Sequence, residues 1–395
     1  MTRILIIGGG IAGTAAALAL DKAGFEPVVF EAHPDEGEDI GAFLTLASNG
    51  MLALAQFDAA EAVAGTGFPL TTMRVTGDSG AVLATVPLGE HTQPMRRFRC
   101  LRRAELADAL RSEAARRGLD VRHGRRLVSV AEDDDGVTAT FADGGTARGE
   151  LLVGADGLHS VVRPLTDPSA APPRYAGQRV FYGYTDRVEP PHEPGRIEMI
   201  RGSTAAFGYA VSPQGETYWF ARVPGEELSD ADTADTAPGR WRDLLVPLLR
   251  SDATPAADIV EATGERLMVT NARDLSTVTR WRTPRMLLVG DAAHAASPAT
   301  GQGASMALED AVVLAKALRD APDAGVALDA YERLRRPRVE ANIANSARLT
   351  KSRMPRRLAR TLENQRARFR RRGAAASPVA DELAGQLDWD TPLTF

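Results

Sequence analysis

The sequence predicts an α/β fold: a discontinuous Rossmann-like nucleotide-binding domain, an inserted antiparallel β-sheet domain, and a C-terminal helical segment. Three observations predict it. Residues 3–7 end in four consecutive apolar side chains, the signature of a strand buried on both faces, and run into a glycine-rich turn and an Ala/Leu-rich helix. A second buried strand, 286–289, precedes a second long helix, 303–319, far along the chain. Between them, residues 180–223 alternate polar and apolar side chains, carry many aromatics and lack helical spacing.

In chain order, the strand at 3–7, the helix at 11–23 and a strand at 27–31 form a complete βαβ unit. A long helix is expected at about 104–117. Residues 136–153 have strand character with an Asp143-Gly144 turn, and Leu151-Leu152-Val153 enters a Gly154-Ala155-Asp156-Gly157 turn. Segments 71–98 and 174–262 break the strand–helix rhythm and together predict one antiparallel layer. The nucleotide-binding domain is then assembled from 1–70, 99–173 and 263–325. Residues 326–372 read as mostly helical, interrupted near Pro337 and Pro355, with a basic run from Arg366 to Arg372 that reads as a solvated helix face. The tail 373–395 opens with Gly-Ala-Ala-Ala-Ser-Pro and ends apolar, consistent with docking or with a loose end.

Composition narrows the function classes. The chain has 395 residues, 44% hydrophobic and 25% charged, which is globular composition long enough for two cores. A net charge of −5 argues against nucleic-acid binding, which wants a positive surface. Cys100 is the only cysteine, so an internal disulfide, a paired-cysteine redox centre and a Cys-rich metal site are excluded. The six histidines show no ligand spacing, so no metal is expected. The N-terminal apolar run is too short for a signal peptide or membrane span, so no membrane partner and a cytoplasmic location are expected.

The chemistry resides in three glycine-rich turns. Gly8, Gly10 and Gly13 match G-x-G-x-x-G directly between strand and helix. Gly8 permits the tight turn, Gly10 lets the backbone approach a pyrophosphate, and Gly13 allows close helix–strand packing. The helix N-terminus around Ile11 and Ala12 offers amides and positive dipole to phosphates. Glu31, 18 residues after Gly13, ends the second strand, where a carboxylate accepts adenosine ribose hydroxyls. Gly290-Asp291 follows the 286–289 strand, and the run continues to Pro298, Gly301, Gly303 and Ala304. An Asp at a strand's end suits a polyol such as a ribityl chain. The glycines bring backbone close to a flat ring, and the 303–319 helix aims its N-terminus at charge developing there. The cofactor expected from this pair of sites is FAD.

Gly8–Gly13 with Glu31, Gly154-Ala155-Asp156-Gly157, and Gly290-Asp291 resemble the three fingerprints of the single-component FAD-dependent aromatic hydroxylases. These include para-hydroxybenzoate and salicylate hydroxylases. The resemblance covers residues 1 to about 345. It implies that Gly8, Gly10, Ala12 and Gly13 hold the FAD pyrophosphate and Glu31 the ribose. Arg103, opening a helix, would lie against the FAD. Asp156 would sit near the pyrophosphate and bear on NAD(P)H use, and Asp291 would bind the ribityl chain. Pro298, Gly301, Gly303 and Ala304 would line the isoalloxazine ring. Two positions depart from the pattern: Ala295 follows His294 where the family often has Pro, and Phe43 stands where relatives have Gly in a Gly-Ala-Gly-Ile segment, here Gly41-Ala42-Phe43-Leu44. The aromatics Phe181, Tyr182, Tyr184, Phe207, Tyr209, Tyr218, Trp219 and Phe220 belong to the sheet that roofs the substrate pocket in relatives. Alternation puts Tyr182 with Tyr184, and Phe207 with Tyr209, on common faces.

The activity implied is NADH- or NADPH-dependent monooxygenation: hydride reduction of FAD, O2 addition at flavin C4a, and transfer of the distal oxygen to an aromatic, enolic or polyketide-like small molecule. The cofactor carries that chemistry, so no catalytic protein residue is expected. With no second G-x-G-x-x-G, the nicotinamide would visit transiently. The Trp-x-Trp-x-Ile-Pro motif of flavin halogenases is missing. A reductase of the same fold, or a non-catalytic FAD-binding partner protein, are the alternatives. Monomer and homodimer both occur among relatives.

Overall fold

The computed structural model describes residues 2–34, 42–89, 93–234, 237–275, 278–351 and 378–395. Gly41, His91, Pro355 and the Arg366–Arg372 run lie outside them.

The nucleotide-binding body is built on a five-stranded, wholly parallel sheet, ordered Met286–Leu288, Leu151–Gly154, Arg3–Ile7, Glu26–Phe30, Asp120–Arg122. Helix Ile11–Lys22 packs on it with eight consecutive buried residues, Gly13 to Leu20, six of them Ala or Leu. Helix Gly303–Asp320 lies against that helix, nearly all of it buried. A three-stranded antiparallel sheet, with Gly144 in positive φ at its hairpin, flanks the body.

The second layer is a seven-stranded sheet, ordered Leu267–Asp274, Arg174–Thr185, Thr217–Pro224, Ala206–Val211, Arg196–Arg201, Thr72–Gly77, Val82–Pro87. Two features differ from the sequence reading. The edge strand Leu267–Asp274 lies past residue 262, in a stretch expected to belong to the nucleotide-binding body. The two inserted segments also meet in a parallel pair, Thr72–Gly77 beside Arg196–Arg201, while every other pair is antiparallel. Hairpin connection forces antiparallel pairing only between strands adjacent in sequence; this junction joins strands more than a hundred residues apart.

The sheet separates its aromatics by alternation. Phe181, Phe207, Tyr209 and Trp219 face helices Pro238–Arg250 and Ala256–Ala262, packing with Trp241, Leu245 and Ile259. Phe207 stacks on Trp219 with centroids 5.6 Å apart, and Trp219 Nε1 donates to Thr263 Oγ1 at 2.9 Å. Tyr182, Tyr184, Tyr218 and Phe220 point the other way, toward Phe43, Phe68 and Cys100 of the small sheet Phe43–Leu46, Phe98–Arg102, Phe68–Leu70.

The C-terminal helix Ala324–Lys351 runs through Pro337 without a break, contrary to the expected interruption. The missing N–H leaves the Arg333 carbonyl without its helical donor. The neighbouring turns are held by ion pairs of Arg335 and Arg338 to Glu309 and of Arg336 to Glu332. Residues 378–395 dock on the body. Lys316 Nζ donates to the carbonyls of Gln386 (2.8 Å) and Asp388, and Trp389 N donates to Gln56 Oε1 at 2.8 Å.

Candidate functional site

The three glycine turns converge where the parallel strands end. Gly8 has φ of 106°, and a Cβ there would lie 2.5 Å from the Ala155 carbonyl oxygen. A Cβ on Gly13 would fall 1.8 Å from the Gly8 oxygen, so the helix packs against the turn as only glycine permits. Gly10 is different: its Cβ position meets no atom within 4 Å, and its φ is an ordinary −75°. The demand for glycine at 10 therefore does not come from the protein itself. The space in front of it is open. Gly10 caps helix Ile11–Lys22 without any side-chain hydrogen bond, so the amides of Ile11, Ala12 and Gly13 lack intrahelical acceptors.

Glu31 stands at the end of its strand. Its Oε2 accepts from Gly9 N at 2.7 Å and its Oε1 from His33 N at 2.8 Å. These bonds fix the carboxylate and leave a second lone pair on each oxygen for hydroxyl donors. Asp156 follows the strand Leu151–Gly154; its Oδ2 accepts from the amides of Val161 (2.7 Å) and Val162 (3.1 Å), while its buried Oδ1 has no partner. Asp156 thus ties down the turn whose backbone abuts Gly8.

Gly290 has φ of 57°, and a Cβ there would sit 2.8 Å from Ala12 Cβ, which brings the third turn against the first. The Asp291 side chain is exposed, with Oδ1 4.0 Å from the Cβ position of Gly303. Pro298, Gly301 and Gly303 are exposed and Ala304 half-buried. Gly301 adopts left-handed backbone and approaches Thr45 Oγ1. Helix Gly303–Asp320 has no side-chain cap, so its first amides are also free for a ligand. Ser297 and Ser346, 2.9 Å apart through their hydroxyls, clip the Pro298 loop to the C-terminal helix. Arg103 opens helix Arg103–Arg116 with an exposed side chain, and its amide donates to Ala42 O at 2.9 Å.

Beneath the third turn lies an ionic network that the sequence did not reveal. Asp310, fully buried, accepts from Gly290 N (2.9 Å), His294 Nε2 (2.6 Å) and Arg335 Nε (2.7 Å). Glu309, also buried, accepts from Arg335, Arg338 and Asn49. Burial alone would raise the Asp310 pKa, but His294 and Arg335 outweigh it and hold the carboxyl well below its ordinary range. An ionised Asp310 only accepts, so His294 carries a proton on Nε2. His294 is therefore a positioning residue for the Gly290 turn. The partners of Asp310 come from 16, 20 and 25 residues away and Asn49 reaches Glu309 from 260, so no local motif announces them.

Strand Phe43–Leu46 links the third turn to the aromatic face: Thr45 lies beside Gly301, and Phe43 belongs to the aromatic cluster. Phe43 meets Tyr218 (5.8 Å between centroids), Phe220 (6.1 Å), Tyr182 (6.2 Å) and Tyr184 (6.4 Å). The departure at position 43 thus fills the floor of the face with a ring. Arg102 covers Tyr184 and Tyr218 and donates to Glu216 at 2.7 Å. Two shallow surface depressions, one beside Ala62 and Glu105 and one beside Arg3 and Glu150, involve none of the predicted site residues. Among the described residues there is no cluster of potential metal ligands, and no helix is long and apolar enough to cross a membrane.

The family model for the FAD binding domain matches residues 1–346. The chain belongs to the FAD-dependent aromatic hydroxylase family. Among its relatives, the aurachin C monooxygenase/isomerase of Stigmatella aurantiaca is 31% identical over 350 residues, covering 88% of both chains. The 3-amino-4-hydroxybenzoate 2-monooxygenase PtmB3 of Streptomyces platensis is 34% identical, covering 85% of each. The crystal structure of Klebsiella pneumoniae HpxO with FAD and uric acid superposes with a TM-score of 0.80 at 26% identity, over 98% of this chain and 96% of that one. FAD binding and monooxygenase chemistry are the common ground of this family. The residues of the groove fit the cofactor: open space at Gly10, two uncapped helix N-termini and an exposed Asp291 between them.

Proposed function

We propose that this flavoprotein is an NADH- or NADPH-dependent monooxygenase that places one oxygen atom of O2 into an aromatic or enolic small molecule. The observation that carries the reading is the strand Phe43–Leu46, which sets Thr45 beside Gly301 of the third glycine turn and Phe43 among the rings of the large sheet. When bound, FAD supplies hydride acceptance and O2 activation. The chain's own residues bind, orient and shield. Gly8, Gly10, Ala12 and Gly13 would receive the pyrophosphate on free amides, and Glu31 the adenosine ribose. Asp156 would brace the turn near the pyrophosphate, with Arg103 adding positive charge. Asp291 would take the ribityl hydroxyls. Pro298, Gly301, Gly303 and Ala304 would support the flavin ring, with the helix N-terminus favouring negative charge on it. Phe43, Tyr182, Tyr218 and Phe220 would exclude water from the reacting face.

The test is reconstitution with FAD, followed by a ligand screen that reads NADH and NADPH oxidation and isotope-labelled O2 in the products. The expected result is ligand-stimulated oxidation and one labelled oxygen per product. Flavin that neither nucleotide bleaches, with any ligand, would overturn the proposal. Bleaching without label in any product would point to a reductase instead.

A further inference from the structure

We propose that the C-terminal segment, from helix Pro378–Leu387 to Phe395, positions the FAD site from behind, so that its docking and cofactor binding are one coupled equilibrium. The inference goes beyond the oxygenation reading and concerns only how the chain holds FAD. Three helices have their first turns at the cofactor site. Ile11–Lys22 starts at Gly10 and Gly303–Asp320 at Gln302. Helix Ser48–Gln56 is bonded to the first turn of the latter: Ala47 N donates to Ser305 Oγ at 3.2 Å, and Asn49 Nδ2 to Gln302 Oε1 at 3.3 Å. The tail grips the last turns of all three, and Trp389 reaches each of them. Lys22 Nζ and the Arg319 guanidinium lie over its indole, 5.0 and 4.8 Å from the ring centroid. Its amide donates to Gln56 Oε1 at 2.8 Å, and its carbonyl accepts from Arg319 Nη1 at 2.8 Å.

The grip is apolar and polar together. Leu387 is fully buried in the core of the nucleotide-binding body, and Leu383 and Leu393 pack against that core. Lys316, itself buried, donates to the carbonyls of Gln386 and Asp388 and so caps the end of helix Pro378–Leu387. Leu393 N donates to Asp320 Oδ2 at 2.9 Å. Lys22 also pairs with Asp58 at 2.8 Å, just past Gln56, which ties two of the three last turns to each other beside the tryptophan. A helix carries displacement along its axis as a rod, and the gripped ends stand roughly 12–26 Å from the first turns. Helices Ile11–Lys22 and Gly303–Asp320 pack on each other, so a shift between their last turns is felt where the Gly290 turn abuts Ala12. A ligand held by fixed first turns therefore favours the docked tail. The docked tail favours that ligand by the same factor. The residues expected to touch FAD all lie outside the tail, which makes Trp389 and Lys316 positioning residues.

The experiment uses the full chain as wild type, Trp389→Ala, Trp389→Phe and Leu245→Ala, the last a control in the separate core behind the large sheet. FAD Kd is read from flavin fluorescence, apo stability from thermal melts, and tail docking from amide hydrogen exchange of residues 383–393 with and without saturating FAD. In wild type, FAD is expected to slow exchange of the tail about fivefold or more beyond its effect on helix Pro238–Arg250. Trp389→Ala weakens FAD binding about fivefold or more, and Trp389→Phe, which keeps a ring beneath the two cations, restores most of it. Leu245→Ala lowers the apo melting temperature and leaves the FAD Kd within about twofold of wild type. Equal slowing of tail and helix, wild-type FAD affinity in Trp389→Ala, or a Leu245→Ala variant that loses FAD as readily as Trp389→Ala overturns the inference. If Trp389→Ala fails to fold, the exchange of wild type decides: FAD that protects the tail no more than the helix overturns the inference. None of these readouts depends on turnover, so failure of the monooxygenase reading leaves this test intact.

Discussion

Gly10 and Gly13 sit in one motif, yet the structure predicts opposite behaviour for Gly10→Ala and Gly13→Ala. A Cβ on Gly10 meets nothing within 4 Å and the backbone there is extended, so the apo protein should tolerate alanine. The reduced unfolded-state entropy stabilises by about 0.4–1 kcal/mol, and the poorer N-cap removes a similar amount. The net change in apo stability is therefore near zero. FAD, however, needs that space. If the methyl weakens FAD binding about a hundredfold, FAD present at about 100 times the wild-type Kd stabilises wild type by about 2.7 kcal/mol and the variant by about 0.4 kcal/mol. In Gly13→Ala the methyl falls 1.8 Å from the Gly8 oxygen, so the helix must retreat from the turn. Overpacking of this kind costs about 3 kcal/mol or more, with FAD absent or present. Thermal melts of apo and FAD-loaded protein, with FAD Kd from fluorescence quenching, separate the two. Wild-type FAD affinity in Gly10→Ala, or an unchanged apo melt in Gly13→Ala, would refute the assignment of one glycine to the ligand and the other to packing.

Further outcomes follow from the surroundings of the site. Arg335→Met leaves Glu309 and Asp310 buried without their shared cation and should destabilise the apo protein by about 3–5 kcal/mol in denaturant titration; a loss below about 1 kcal/mol would contradict the network's geometry. A hydrogen bond from Arg116, working against burial and joined by Arg117, holds Glu113 down at about 2. Because the folded pKa is depressed, its contribution is complete above the unfolded value near 4.5 and fades as pH falls toward 2. Wild type should therefore lose about 1–2 kcal/mol more than Glu113→Gln between pH 6 and pH 2.5, and parallel acid curves would rule this out. Phe43→Ala removes the ring that touches four others and should cost about 3–5 kcal/mol. It should also lower KM for bulkier ring substrates relative to single-ring ones, and an unchanged substrate range would show that Phe43 does not bound the pocket.

The parts legible in the sequence were those governed by local rules. Backbone demands at Gly8 and Gly13, the apolar run of Ile4–Ile7, and the alternation of Tyr182 with Tyr184 each follow from a few adjacent residues, and the structure has each as expected. Where the rule was local but its context was not, the reading failed: Pro337 does not break its helix, because ion pairs to distant residues hold the flanking turns. The strand Leu267–Asp274 joined the larger sheet for a similar reason, since an edge is chosen by available partners and not by sequence order.

By itself the sequence determined that this chain makes a strand–turn–helix for a dinucleotide, because glycine's missing Cβ leaves its mark at fixed short spacings. Tertiary structure alone decided what surrounds that site. Asp310 reaches Gly290 from 20 residues away, Arg335 reaches Asp310 from 25, and Phe43 closes on rings more than 130 residues distant. Burial also decided which arginines matter. Arg102 and Arg222 are equivalent on paper. Only packing gave Arg102 a glutamate and left Arg222 Nε and Nη1 buried without a hydrogen-bond partner among the described residues, since a charge's surroundings, not its identity, set the energy of leaving water.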